Sequence, residues 1–124
     1  MDLVRLKDAR PYDAPRHFGM STLRLQGEDA SGAASFTIGL SQALPAGGAE
    51  LSASPRERVY LVLEGELFVS SGDTEAVLGP LDSCWIPAGE EREVANRTNR
   101  TTTFVVVMPT REEQWAWREP PSRG

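Results

Sequence analysis

The sequence predicts an all-β barrel or sandwich, and three observations point that way. Glycine (11) and proline (9) punctuate a chain of 124 residues at Pro45-Ala46-Gly47-Gly48, Glu64-Gly65, Ser71-Gly72-Asp73, Gly79-Pro80 and Pro87-Ala88-Gly89. The runs between them are short, apolar or alternating, and rich in Val, Thr, Phe, Tyr and Ile, as strands are. The breaks have the chemistry of tight turns, and many short strands joined by turns are the pattern of a sandwich or barrel.

Taken in order, strands are expected at residues 21–25, 35–40, 58–63, 67–70, 75–78, 83–86, 91–95 and 102–108. Glu64-Gly65-Glu66 fits a tight strand connection. Ser70-Ser71-Gly72-Asp73 reads as a hairpin turn, because glycine supplies the positive φ such turns require. The middle of the chain is therefore a meander of hairpins. Helix is expected only in a short C-terminal tail, where Thr110 can cap residues 111–115 before Pro120-Pro121 ends any helix. Trp115 and Trp117 are two apart and cannot share one helical face. Either one packs on the barrel and the other on a partner subunit, or both cover the end of the core.

Length and composition bound the rest. A 124-residue chain buries one core, so residues 1–124 read as a single domain. With 13 Lys+Arg against 18 Asp+Glu, a net charge of −5 and a pI near 4.9, the surface repels phosphate backbones and anionic lipid heads. Nucleic acid and membrane are not expected partners. No stretch approaches the ~18 consecutive apolar residues of a membrane span, and the start MDLVRLKDAR has no apolar run of the secretory kind. The expected location is the cytoplasm. The lone cysteine, Cys84, lies in the apolar run Cys84-Trp85-Ile86 and reads as a packing residue.

Two segments carry a motif. The stretch from Ser52 through Arg58 and Tyr60-Leu61-Val62-Leu63 to Gly65 resembles the first motif of the cupin superfamily, G-x5-H-x-H-x3,4-E-x6-G. Counting back from Gly65 puts the glutamate slot on Arg58 and the two histidine slots on Ser54 and Ser52. The second motif, G-x5-P-x-G-x2-H-x3-N, is similar to Leu81 through Asn96: Pro87, Gly89 and Asn96 match, Leu81 replaces the first glycine and Arg92 replaces the histidine. The resemblance spans about residues 35–108. It implies a double-stranded β-helix, the jelly-roll barrel, with a pocket between two sheets and often a dimeric assembly.

In metal-dependent cupins those four slots hold the metal, and here all four are substituted. Serine hydroxyls are neutral and poor ligands, and a guanidinium that stays protonated cannot ligate at all. No metal and no other cofactor is expected. Two arginines keep positive charge in the pocket as forks of hydrogen-bond donors, which suits a carboxylate. On the implied alignment Arg58 and Arg92 clamp a small anionic ligand, Ser52 and Ser54 orient it, and Tyr60 or His17 transfers a proton, in an isomerase or lyase step. A non-catalytic accessory cupin, a sensor or assembly subunit, needs only the clamp. A third reading pairs Arg58 with Glu57, Glu91 or Glu93 and leaves an inert barrel, since buried arginines need some compensating charge. His17, the only histidine, equally fits a surface or packing position. Arg24, flanked by Leu23 and Leu25, is expected to point outward into solvent. A homodimer is expected from the apolar N-terminal segment and from Trp115 or Trp117.

Overall fold

The computed structural model describes residues 1–110. A single 3-10 turn at Leu6–Asp8 precedes nine strands: β1 (Arg10–Pro11), β2 (His17–Gln26), β3 (Phe36–Ser52), β4 (Arg58–Glu64), β5 (Leu67–Ser71), β6 (Thr74–Leu78), β7 (Ser83–Ile86), β8 (Arg92–Ala95) and β9 (Thr102–Pro109). Every pairing is antiparallel. The hairpin turn between β5 and β6 falls on Gly72-Asp73 with Gly72 at φ 58°, and Gly65 joins β4 to β5 at φ 85°. Among the described residues no helix is long and apolar enough to cross a membrane.

β3 organises the barrel. Its first half, Phe36 to Ala43, pairs with β9, and its second half, from Gly48 to Ser52, pairs with β8, while β2 runs along its other side throughout. Between the halves the strand turns a corner, with Ala46 at φ 71°. The corner creates two sheets from one strand: β2-β3-β9-β4-β7 and β2-β3-β8-β5-β6. They face one another across a shared core that joins Tyr60, Val62 and Phe104 of the first to Leu67, Val69 and Val94 of the second. This is the double-stranded β-helix the sequence led us to expect.

The corner also corrects the sequence reading. Pro45-Ala46-Gly47-Gly48 was expected to separate elements, yet it lies inside a 17-residue strand. Its glycines are there for close approach: a Cβ on Gly47 would collide with the Gly19 carbonyl, and one on Gly48 with the Val94 carbonyl. β2 likewise begins at His17 rather than residue 21, and β1 was not foreseen, because Arg10-Pro11 has no strand-like composition and is held only by pairing with Leu23 and Arg24. The expected C-terminal helix and the roles of Trp115 and Trp117 lie outside the described residues. Thr110 itself bonds back to β3's approach, its hydroxyl donating to the Ala34 carbonyl at 2.6 Å.

Register across the first sheet sorts residues by face, because partners on adjacent strands point the same way. One row runs Arg24–Gly39–Val106–Tyr60–Cys84, from β2 to β7, and faces the barrel interior. The next row, Leu23–Leu40–Val105–Leu61, faces out. Another outward row, Ile38–Val107–Val59–Trp85, continues it. This assignment overturns the expectation for Arg24: its leucine neighbours occupy the outer face, and the arginine points inward.

Candidate functional site

A cavity of about 550 Å³ opens between the two sheets. Its floor is apolar, with Met20, Val94, Phe104, Val106 and Met108, and its walls carry Ser52, Ser54, Arg58, Tyr60, Arg92 and His17. All six residues singled out from the sequence therefore meet at one place. The inward register explains why: Arg58 and Tyr60 alternate with the outward Val59 and Leu61 on β4, and Ser52 pairs with Arg92 where β3 meets β8.

Arg92 is the centre of the arrangement. It is only 6 % exposed; its Nε donates to the Tyr60 hydroxyl at 2.7 Å and its Nη1 to Ser52 Oγ at 3.0 Å. Tyr60, itself 3 % exposed, stands edge-on to Phe104 at 5.8 Å between ring centroids, which fixes its hydroxyl. Arg58, two residues from Tyr60 on β4, lines the same cavity. Burial pulls the Arg58 guanidinium below its ordinary pKa, and the nearby Arg92 charge adds to that against a favourable effect of Tyr60. Arg92 is buried and Arg58 half-buried, and both cations line this part of the cavity. Among the described residues the only ion pair is the exposed Lys7–Asp8 contact at 3.2 Å, so the pairing of Arg58 with Glu57, Glu91 or Glu93 is not found. Glu57 instead accepts from Trp85 Nε1 at 2.7 Å.

Ser54 is partly engaged, its Oγ accepting from the Arg56 amide at 3.1 Å. His17 lines the cavity half-buried, and its Nδ1 lies 2.8 Å from the Pro15 carbonyl. A carbonyl can only accept, so Nδ1 carries the proton and Nε2 keeps its lone pair. Burial lowers the His17 pKa, and Arg92 and Arg58 lower it further against the Pro15 bond. The ring is neutral at pH 7.

Two cavity residues escaped sequence reasoning. Tyr12 lies across the β2–β3 boundary, where Gly39 leaves room for its hydroxyl: a Cβ there would strike the Tyr12 oxygen. Arg24 stacks on that ring, its guanidinium carbon 3.9 Å from the centroid. Burial raises the Tyr12 pKa, while Arg24 and then Arg58 pull it down. The structure buries Thr22, two residues before Arg24 and in phase with it, but a threonine in the sequence does not mark an inward face. Asn96, matched by the second motif, is a structural staple: fully buried, it donates to the carbonyls of Ala43 at 2.9 Å and Arg100 at 2.6 Å.

At the four positions that correspond to metal ligands the barrel offers two hydroxyls and two guanidinium groups, one of which donates into one of the hydroxyls. That donor set does not fit a divalent cation, which requires lone pairs or anionic oxygens. Elsewhere among the described residues no three His, Cys, Asp or Glu side chains converge. Cys84 packs against the core, and burial raises its thiol pKa.

The cupin domain family model matches residues 40–108. This chain belongs to the cupin family. Among known proteins it is similar to one from Mycobacterium tuberculosis named a beta-D-galactosidase, 44% identical over 108 residues that cover 87% of this chain and 93% of the relative. The solved polyketide cyclase RemF from Streptomyces resistomycificus superposes with a TM-score of 0.78 at 23% identity, over 90% of this cupin and 80% of that chain. A sugar phosphate isomerase of the cupin superfamily from Silicibacter pomeroyi superposes with a TM-score of 0.66 at 30% identity, over 75% of this cupin and 60% of that chain.

Proposed function

We propose that this cupin works without a metal, binding a small carboxylate-bearing molecule in its barrel cavity and acting on it by proton transfer. One observation carries the reading: Arg92 is buried, aimed by Tyr60 and Ser52, and beside Arg58, with no carboxylate paired to either guanidinium among the described residues. A buried cation costs several kcal/mol unless it is compensated, and an anionic ligand supplies that compensation. Arg58 and Arg92 hold the carboxylate, Ser52 and Ser54 orient it, and His17 Nε2 takes a proton from the carbon or oxygen presented to it, with Tyr60 as the neighbouring hydroxyl. Calorimetric titration with a panel of carboxylates tests this. The expected result is binding to the wild type that weakens by about 2–5 kcal/mol in Arg92→Ala; a panel without any binder overturns it. Binding without turnover of any bound compound supports the accessory, non-catalytic alternative.

A second reading is favoured by the 44% identical relative named a beta-D-galactosidase. On that reading a galactoside occupies the cavity, its ring on the apolar floor and its hydroxyls on the serines and Tyr60. Asp13 and Glu91, the carboxylates lining the cavity, then supply acid and base. Hydrolysis of 4-nitrophenyl β-D-galactoside, lost in Glu91→Gln or Asp13→Asn, supports it; no release of nitrophenol rejects it.

The assembly we propose is a homodimer. The outward rows Leu23–Leu40–Val105–Leu61 and Ile38–Val107–Val59–Trp85 make one apolar face across five strands, with Trp85 59 % exposed at its edge. A second copy of the same face covers it with the two-fold symmetry usual for soluble oligomers. Light scattering at micromolar concentration is expected to give twice the chain mass, and a monomer rejects the dimer.

A further inference from the structure

The clamp of Arg58 and Arg92 does not use all the positive charge in the cavity. Four arginines line it, Arg16, Arg24, Arg58 and Arg92, against the two carboxylates Asp13 and Glu91, both of which sit exposed at the rim. Arg24 has no carboxylate paired to it among the described residues; its guanidinium rests instead on the Tyr12 ring at 3.9 Å, half-buried. It shares an inward row with Tyr60, three strand spacings away across β3 and β9. At about 4.8 Å per spacing the two backbones are roughly 14 Å apart. The cationic groups therefore enter the cavity from different walls: Arg24 from β2, Arg58 from β4 and Arg92 from β8, with the apolar floor of Val106 and Phe104 beneath.

We infer that the natural ligand carries two anionic groups, and that Arg24 on its Tyr12 platform is a second anion subsite that selects dianions over monoanions. This rests on the carboxylate-binding reading above and specifies its ligand class: a short chain or sugar framework with two carboxylates, or with one carboxylate and one phosphate. The stack on Tyr12 orients the guanidinium without neutralising it, since a ring face attracts a cation but carries no net charge. The in-plane N–H groups of the fork remain available to an oxyanion. Arg24 also borders a smaller cavity of about 180 Å³, lined by residues of the N-terminal segment and by Asp29.

The test is calorimetric titration of wild type, Arg24→Met and Arg24→Lys with matched pairs of equal length, butyrate against succinate and valerate against glutarate, and with phosphoglycolate as the mixed carboxylate–phosphate ligand. Methionine keeps an unbranched apolar stem on the Tyr12 ring while removing the charge. The expected result is that wild type binds at least one dianion roughly tenfold to a hundredfold more tightly than its monoanion partner, the range of one charge-assisted contact. Arg24→Met erases that preference while keeping monoanion affinity, and Arg24→Lys restores part of it. Whether a dicarboxylate or phosphoglycolate shows the preference names the second group. Equal binding of both members of every pair to wild type, or a preference that survives Arg24→Met, overturns the second subsite and leaves the Arg58–Arg92 clamp standing. No binding by any member to wild type removes the clamp reading itself. Should Arg24→Met fail to fold, Arg24→Lys carries the comparison: its dianion preference is expected to fall below that of wild type, and an unchanged preference overturns the subsite.

Discussion

Beside the cavity, the two faces of the sheet β2-β3-β9-β4-β7 depart from the usual assignment of polar and apolar residues. The outer face presents Leu23, Leu40, Val105 and Leu61 in one row, while the inner row that faces the cavity begins with an arginine and passes a tyrosine. Beneath the cavity the inner face is ordinary core, with Phe104 at the floor and Val62 behind it 1% and 0% exposed. Charge is thus confined to the part of the interior that opens, and apolar side chains also line part of the exterior. On the proposed reading, polarity in this barrel follows ligand and partner rather than inside and outside. An inward arginine costs stability unless something binds it, and an outward leucine row costs solubility unless something covers it.

That comparison can be broken at several places. Phe104→Ala removes a fully buried ring from the inner face and should cost about 3–5 kcal/mol of stability by denaturant unfolding. Leu61→Asp, one strand away on the outer face, should cost the isolated chain far less yet convert the dimer to monomer on sedimentation. Equal destabilisation by the two would mean that the outer face is as buried as the core. Arg92→Met separates function from stability. It should abolish carboxylate binding while raising unfolding free energy by about 1–2 kcal/mol, because an uncompensated buried charge is replaced by an apolar chain of similar length. A less stable Arg92→Met would show that its bonds to Ser52 and Tyr60 contribute more than the charge costs. Gly39→Ala should cost about 1–3 kcal/mol, since its methyl forces the Tyr12 hydroxyl out of place and takes Arg24 with it.

The smallest effect is the pH dependence of His17. Its pKa is lowered in the folded chain, by burial first and by the two arginines after. The unfolded chain therefore takes up the proton before the folded one does. Stability is complete above the ordinary histidine value of about 6.5 and falls as pH drops from there toward the lowered folded value. Thermal melts of wild type and His17→Gln between pH 7.5 and about 5 should diverge on the acid side, with the variant the less sensitive. Parallel curves would place His17 in an environment that does not distinguish its two forms.

Much of this was legible in the chain itself. Seven of the strands were expected to within a residue or two at their starts, because their period-two runs are bounded by turn residues whose chemistry is local. Ser52, Ser54, Arg58, Arg92, Tyr60 and His17 were found through motif spacing, and the register does bring them to one cavity. What the sequence hid was non-local. The Pro45–Gly48 corner looks like a loop because the carbonyls of Gly19 and Val94 that make glycine necessary lie far away along the chain. Arg24 looked exposed because alternation reveals which residues share a face and not which face is inside, and here both faces carry apolar residues.

The placement of β9 has a consequence for how the chain is made. β9 lies between β3 and β4 and supplies the pairing partner of both, though it is the last strand described. Until residues 102–109 have emerged during synthesis, β3 and β4 each present an open apolar edge, and the first sheet has a gap at its middle. Closing it joins β9 to β3 across 59 to 73 residues and to β4 across 39 to 48, a loop closure that places this barrel among slow-folding topologies of the millisecond-to-second class. The hairpin of β5 and β6, joined by a two-residue turn, can form long before. The nascent chain is therefore most exposed to aggregation between release of β4 and arrival of β9, and that interval is where a holding chaperone has most to protect.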